Sequence, residues 1–334
     1  MGAVSLGDMA RSFMLRRHTV DLKQNLQKLT NEVATGRVSD TAARVSGDLV
    51  PISGIDAALA RLKGYGAVTS EAGLFAGAMQ TALGTMDALA SSLSNALIST
   101  TTGGSPVLID AAGKDAEQNL QTALSVLNTR FGDRSLFAGT ETTDAATADS
   151  NTLLTALTAA VAGAVSAQDV ETAVNTWFAS PSGYAAAVYQ GGDALAALAI
   201  APGEEAKIDL TAADPALRDT IKGLAMAALL NRGVLAGQTA GRQDLARRAG
   251  LSLLENKTDR TNVAARLGLV EAQIDAAVTR NANETSALQI ARNGITEADP
   301  YETATRLEDT EAQLEKIYAL TARLSRLTLL DYLK

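Results

Sequence analysis

The residues that most often carry acid–base and nucleophilic chemistry are scarce in this chain. It has a single histidine, His18 in the stretch RRHTV, and no cysteine. One imidazole cannot form a cluster of histidine ligands, and without a thiol there is no cysteine nucleophile, disulfide or Cys-bound zinc. We therefore interpret His18 as a polar residue on a helix face beside Arg16 and Arg17.

Carboxylates are numerous, but their spacing does not favour catalysis. Glu204 and Glu205 are adjacent, so their side chains would diverge on a strand or a helix, whereas an acid–base pair must converge in a cleft. The stretch RLEDTEAQLEK, residues 306–316, spaces its charges for ion pairs on a solvated helix face. The sequence contains neither a calcium-loop pattern nor a phosphate-binding loop pattern. We expect no enzymatic activity, no cofactor and no metal.

Two adjacent glycines stand beside an aspartate in YQGGD at residues 189–193. Glycine adopts positive φ angles at little cost, and Asp is a good turn residue. We therefore predict a turn between two short strands, with positive φ at Gly191 and Gly192.

Composition favours closely packed helices. The net charge of −8 argues against a nucleic-acid or anionic-membrane binder, because both need a basic surface. Hydrophobic residues make up 46% of the chain but aromatic residues only 4%, so small side chains dominate the apolar content. No apolar run approaches the roughly 18 residues of a membrane span, and we expect no Sec signal at the start.

Helical periodicity dominates both ends of the sequence. From Leu6 to Val33, leucines and a valine recur at steps of 4, 3 and 4, which is the spacing of a coiled-coil seam, and Gly36 is expected to end that helix. A last helix is predicted from Tyr301 to Leu333. Residues 37–54 and 293–300 are predicted to be connectors, since glycine, proline and serine interrupt the periodicity there.

Further helices are predicted between the ends, at 55–99, about 111–131 and, without interruption, about 241–292. The last of these carries a second seam with steps of 4, 3, 4 and 3, at Val263, Leu267, Val270, Ile274 and Ala277.

The composition shifts between these helices, where short β-like runs alternate with Gly and Pro turns. We predict a mainly α fold: an elongated rod of long antiparallel helices with a terminal coiled coil and an inserted α+β outer domain. The predicted domains are terminal coiled-coil helices at 1–45 and 295–334, a helical rod at 46–140 and 235–294, and the outer inserted α+β domain at 141–234.

The terminal helices carry more apolar surface than one helix pair needs to bury. Isolated helices of this kind are marginally stable, and burial in an assembly contributes about 25 cal/mol per Å² of apolar area. An ordinary intramolecular coiled coil in a monomer remains an alternative. The predicted interaction residues are the apolar positions of both helices: Leu22, Leu26, Leu29, Val33, Leu314, Ile317, Leu320, Leu324, Leu327 and Leu330.

Four stretches of the sequence resemble the flagellin family. They are SLGDMARSFMLRRHTVDLKQNLQKLTNEVATGRVSD at the start, RFGDRSLFAGTETTDA, VYQGGDALAALAIAPGEEAKIDLTAADPA, and ADPYETATRLEDTEAQLEKIYALTARLSRLTLLDYL at the end. Together they span nearly the whole chain except about 145–180. VSDTAARVSGDLV stands where filament flagellins have an INSA.DDAAG-like stretch, and the ending is LDYL. Both departures favour the family's hook–filament junction branch.

The resemblance implies a structural role in the bacterial flagellum, as an annular layer that joins hook to filament. The implied partners are further copies of the chain, hook-associated protein 1 on the hook side, flagellin on the filament side and an export chaperone on the C-terminal helix. It also implies an extracellular location, reached by flagellar type III export without a cleaved signal, and neither nucleic-acid nor membrane binding. Two alternatives stay open: a minor filament flagellin and a cytoplasmic coiled-coil adaptor.

Overall fold

The protein is mainly α-helical, which confirms the predicted class. The structure, a computed structural model, describes the backbone of residues 6–100 and 105–332 and the side chains of residues 9–100 and 105–323. The helices are α1 (Leu6–Thr35), α2 (Thr41–Arg44), α3 (Val50–Thr100), α4 (Pro106–Leu127), α5 (Ser150–Ala160), α6 (Ala167–Ala179), α7 (Tyr184–Ala187), α8 (Pro215–Ala228), α9 (Thr239–Glu255), α10 (Lys257–Thr296) and α11 (Pro300–Tyr332). The strands are β1 (Arg130–Phe131), β2 (Arg134–Ser135), β3 (Leu198–Ala201) and β4 (Glu204–Ala206).

The chain divides into two compact units. The terminal unit comprises Met1–Leu62 and Asn283–Lys334, and the central unit comprises Lys63–Ala282. The finer division into coiled coil, rod and outer domain stays a prediction. None of the described helices combines the length and apolar character needed to cross a bilayer.

In the terminal unit, α1 and α11 pack side by side and run antiparallel. Gly36 ends α1 as the sequence predicts: its φ is 66° and its N–H donates to the Glu32 carbonyl at 2.8 Å. The chain then pairs briefly with the segment before α11, where the Ala298 N–H donates to the Gly36 carbonyl at 3.0 Å. Further along, the Lys23 ammonium lies 5.7 Å from the ring centroid of Tyr318. The two helices are therefore joined near the end of α1 and the start of α11.

In the central unit, small residues let helices approach closely. A Cβ on Gly250 of α9 would lie 3.2 Å from Cβ of Leu97 on α3, and the Ser94 hydroxyl donates to the Gly250 carbonyl at 2.7 Å. The predicted seam of α10 is buried, since Ile274 is 1% and Ala277 0% exposed. The glycines of α3 itself are not at such close contacts, since a Cβ on Gly64, Gly66 or Gly84 would meet nothing within 4 Å.

The helix predicted to reach Phe131 ends at Leu127, and this correction has a local cause. Gly132 adopts a φ of 58°, which turns the chain into the antiparallel pair of β1 and β2. The Asn128 side chain then holds the incoming segment, because its Nδ2 donates to the Thr147 carbonyl at 2.9 Å and its Oδ1 accepts from the Thr147 N–H at 2.8 Å. Tertiary hydrogen bonds therefore replace the last predicted turn of helix.

The uninterrupted helix predicted at about 241–292 is wrong as well, because Asn256 separates α9 from α10. Asn256 is buried, and its Nδ2 donates to the Ala216 carbonyl at 2.8 Å and to the Thr220 hydroxyl at 2.9 Å. The guanidinium of Arg260, 4% exposed, donates to the Leu253 carbonyl at 2.9 Å. The break is therefore fastened on both sides by buried side chains.

The glycines of YQGGD have a different function from the one predicted. Neither has a positive φ, and the hairpin turn of β3 and β4 is made instead at Gly203, with φ 75°. A Cβ on Gly191 would lie 2.6 Å from the Ala138 carbonyl oxygen, and one on Gly192 would lie 2.2 Å from the Thr140 hydroxyl. Glycine is needed here because two loops touch, and not because a turn requires its backbone freedom.

Candidate assembly surface

The terminal unit carries the predicted interaction residues, and the structure places them unequally. Leu22 and Leu29 are each 5% exposed and Ile317 is 7% exposed, while Leu26 and Leu314 are half-buried. Val33 and Leu320 are exposed, at 45% and 51%. The side chains of Leu324, Leu327 and Leu330 lie outside the described residues.

These buried residues belong to an inner seam, which we define by its members on both helices. On α1 and on α11 the buried and half-buried positions step by 4, 3, 4 and 3, as in a coiled coil. Its members are Leu15, Thr19, Leu22, Leu26 and Leu29 on α1, and Thr303, Leu307, Thr310, Leu314 and Ile317 on α11.

Threonines occupy inner-seam positions on α11 without unpaired hydroxyls. The Thr303 hydroxyl donates to the Asp299 carbonyl at 2.6 Å, and the Thr310 hydroxyl donates to the Arg306 carbonyl at 2.7 Å. Because each polar group bonds to its own helix, the methyl groups can face the partner helix. Apolar spacing alone missed these positions, and counting threonine as a seam residue would have found them.

The inner seam ends before Val33, although the 4–3–4 spacing extends to it. Glu32 is buried instead, 7% exposed, and its Oε1 accepts the Ser39 N–H at 2.8 Å. Since the chain after Gly36 folds back over Glu32, the position next to it is left facing outward. Val33 therefore lies outside the inner seam.

Large apolar side chains remain exposed on the terminal unit. Phe13 is 68% and Met14 70% exposed, and with Leu320 they line a hollow of about 650 Å³. Ordinary monomers expose scattered apolar side chains, whereas several large ones along one helix are typical of an interaction site. The other exposed members are Met9, Val20, Val33, Leu49, Val50, Ile290, Tyr301 and Tyr318.

Among the described residues, several charged side chains form ion pairs. No group of three or more His, Asp or Glu residues there could hold a metal ion. Glu204, a candidate carboxylate, pairs with Arg280. Although burial opposes it, hydrogen bonds from Arg248 and Arg247 lower the pKa of Asp244. His18 lies exposed on α1, as predicted.

Part of the chain has counterparts among known proteins. Residues 253–333 match the bacterial flagellin C-terminal helical region. No curated protein matches the sequence.

Two of the solved structures that match this chain share its fold at low sequence identity. One is the crystal structure of Bacillus cereus FlgL, with a TM-score of 0.51 and 14% identity, covering 71% of this chain and 98% of that one. The other is a protein from Vibrio parahaemolyticus, provisionally assigned as a flagellar hook-associated protein, with a TM-score of 0.50 and 11% identity, covering 73% of this chain and 96% of that one. Residues 253–333 of the chain therefore match the bacterial flagellin C-terminal helical region, and the chain shares its fold with these two proteins.

Proposed function

We propose that the chain is a structural, non-enzymatic subunit of the bacterial flagellum, placed between hook and filament as an annular junction layer. The observation that carries the proposal is the flagellin C-terminal helical region on a fold shared with a hook-associated protein. The exposed apolar side chains of the terminal unit support assembly, because burial against neighbouring copies would remove them from water.

In this proposal the chain is exported without a cleaved signal and acts outside the cell. Its neighbours are further copies of itself, hook-associated protein 1 towards the hook and flagellin towards the filament, and an export chaperone binds the C-terminal helix beforehand. A minor filament flagellin is the second candidate, because the family model that matches residues 253–333 describes the C-terminal helical region of bacterial flagellin.

Purified protein added to hooks that already carry the preceding junction protein tests the proposal. Negative-stain images should show one extra layer of fixed length at the hook tip. Long filaments grown from such hooks would support the minor flagellin instead. If no layer forms on the hooks and the protein is confined to the cytosol of flagellated cells, the flagellar proposal is wrong.

A further inference from the structure

The terminal helices carry a second set of regularly spaced positions, away from the inner seam. On α1 the exposed residues Met9, Phe13, Arg16 and Val20 step by 4, 3 and 4. At about 100° per residue, they lie roughly 130° around the helix from the inner seam. We name these four residues the outer seam of α1. It has the spacing of a coiled coil and, among the described residues, no partner helix.

The last helix has the same feature. On α11 the exposed residues Glu308, Ala312, Glu315 and Ala319 also step by 4, 3 and 4, and they lie roughly 150° from the inner seam. We name them the outer seam of α11. Since α1 and α11 of one copy already bury their inner seams against each other, their outer seams cannot also meet within that copy.

The two outer seams are complementary in size and charge. The outer seam of α1 presents large apolar side chains, and that of α11 presents alanines that leave room for them. Arg16 is basic and Arg17 lies beside it, whereas Glu308 and Glu315 are acidic and Asp309 lies beside Glu308. None of these five side chains forms an ion pair with another described side chain. Arg16 instead donates to the Ser12 hydroxyl at 3.5 Å.

We propose that the outer seam of α1 in one copy packs against the outer seam of α11 in a second copy, with arginines facing glutamates. A second copy is the occupant that the charges favour, because both halves of the complementary pair are on this chain. Contact between two α1 seams or two α11 seams would place like charges together, which is unfavourable. The inference rests on the proposed function in one respect, namely that the terminal helices assemble.

Charge reversal on the full chain tests this pairing. One variant is Arg16→Glu with Arg17→Glu, and the other is Glu308→Lys with Glu315→Lys. Sedimentation at low ionic strength should show concentration-dependent association of the wild type, weakened about tenfold or more in each variant alone. An equimolar mixture of the two variants should associate again, because every contact between unlike copies then joins opposite charges.

A matched control repeats the carboxylate-to-lysine change of Glu308→Lys with Glu315→Lys at positions away from the seams. Asp115→Lys with Glu284→Lys reverses two exposed carboxylates on α4 and α10 and should associate like the wild type. Circular dichroism confirms that all variants keep their helices. Added salt should weaken association of the wild type, since exposed charges are screened.

Three outcomes overturn the pairing: a wild type that stays monomeric at every concentration, reversal variants that associate normally, or a mixture that does not recover. Failure of the pairing is separable from failure of the proposed function. If layers form on hooks but the reversal variants associate normally, only the pairing is refuted. If association depends on charge but no layer forms on hooks, only the junction role is refuted.

Discussion

Truncating Leu29 to alanine measures how much the inner seam stabilises the terminal unit. Leu29 is 5% exposed, and removal of a buried leucine side chain costs about 2–5 kcal/mol in protein cores. A seam between two helices is open to solvent on both flanks, so we expect the lower limit, about 2 kcal/mol. Since each 1.4 kcal/mol changes the opening equilibrium constant tenfold, the exchange of α1 amide hydrogens should accelerate about 30-fold.

Val33→Ala is the matched control, because spacing assigns Val33 to the same seam and the structure does not. At 45% exposure its truncation should cost less than about 0.5 kcal/mol, and alanine's higher helix propensity offsets part of that. Hydrogen exchange followed by mass spectrometry on both variants gives the comparison. Equal acceleration by the two substitutions, or none by Leu29→Ala, would refute our description of where the seam ends.

Three other outcomes follow from the central unit. Gly191→Ala should destabilise the protein by about 2–4 kcal/mol, since the new Cβ would lie 2.5 Å from a tyrosine hydroxyl and 2.6 Å from a carbonyl oxygen. The control Gly163→Ala should be near neutral, because its Cβ would meet nothing within 4 Å, and thermal melts compare the two. Arg260→Met should cost about 3 kcal/mol in urea unfolding, because the side chain is 4% exposed and bonded to a carboxylate and a carbonyl. Arg266→Met should cost less than about 1 kcal/mol, because the Arg266 side chain that pairs with Asp214 is 61% exposed. A hydrogen bond from the N-cap serine of α6 lowers the pKa of Asp169, so its contribution is complete above the unfolded value of about 3.9 and is lost as pH falls through the lower folded value. The melting temperature of Asp169→Asn should therefore fall less than that of the wild type as the pH drops below about 4. Equal pH dependence of the two melting temperatures would contradict this assignment. Equal destabilisation by the two members of either substitution pair would contradict the corresponding glycine or arginine assignment.

Periodicity in the sequence was enough to predict the long helices and one complete seam. Val263 to Ala277 repeat with steps of 4 and 3, and the structure buries their face of α10. Such prediction works because a helix with an apolar stripe must bury it against something, whatever the topology. Gly36 was equally predictable, since a helix end with positive φ favours glycine.

Where the prediction failed, a contact distant in sequence decided the structure. Asn256 interrupts a helix because its side chain bonds to α8, and Gly191 is required because a loop fifty residues earlier passes close to it. Neither contact leaves a local signal in the sequence. Val33 fails for a related reason, since the chain reverses at Gly36 and the regular spacing then no longer indicates which face is covered.

The location of an assembly surface on the terminal helices stays a prediction from the sequence, whereas the inner seam can be compared with the structure. Its polar component was missed, because Thr303 and Thr310 bury their hydroxyls against their own helix and so behave as apolar residues. The outer seams needed the structure, since Arg16 and Glu315 become informative only once it is known that they face away from the inner seam.

Deletion of the gene in a flagellated bacterium that carries it tests the proposed junction role most directly. Electron microscopy should show complete hooks without filaments, flagellin should accumulate in the medium, and the full chain supplied in trans should restore filaments. The chain itself should be detected by immunogold at the base of each filament and not along its length. Filaments of normal length and number on the deletion strain would contradict the central claim.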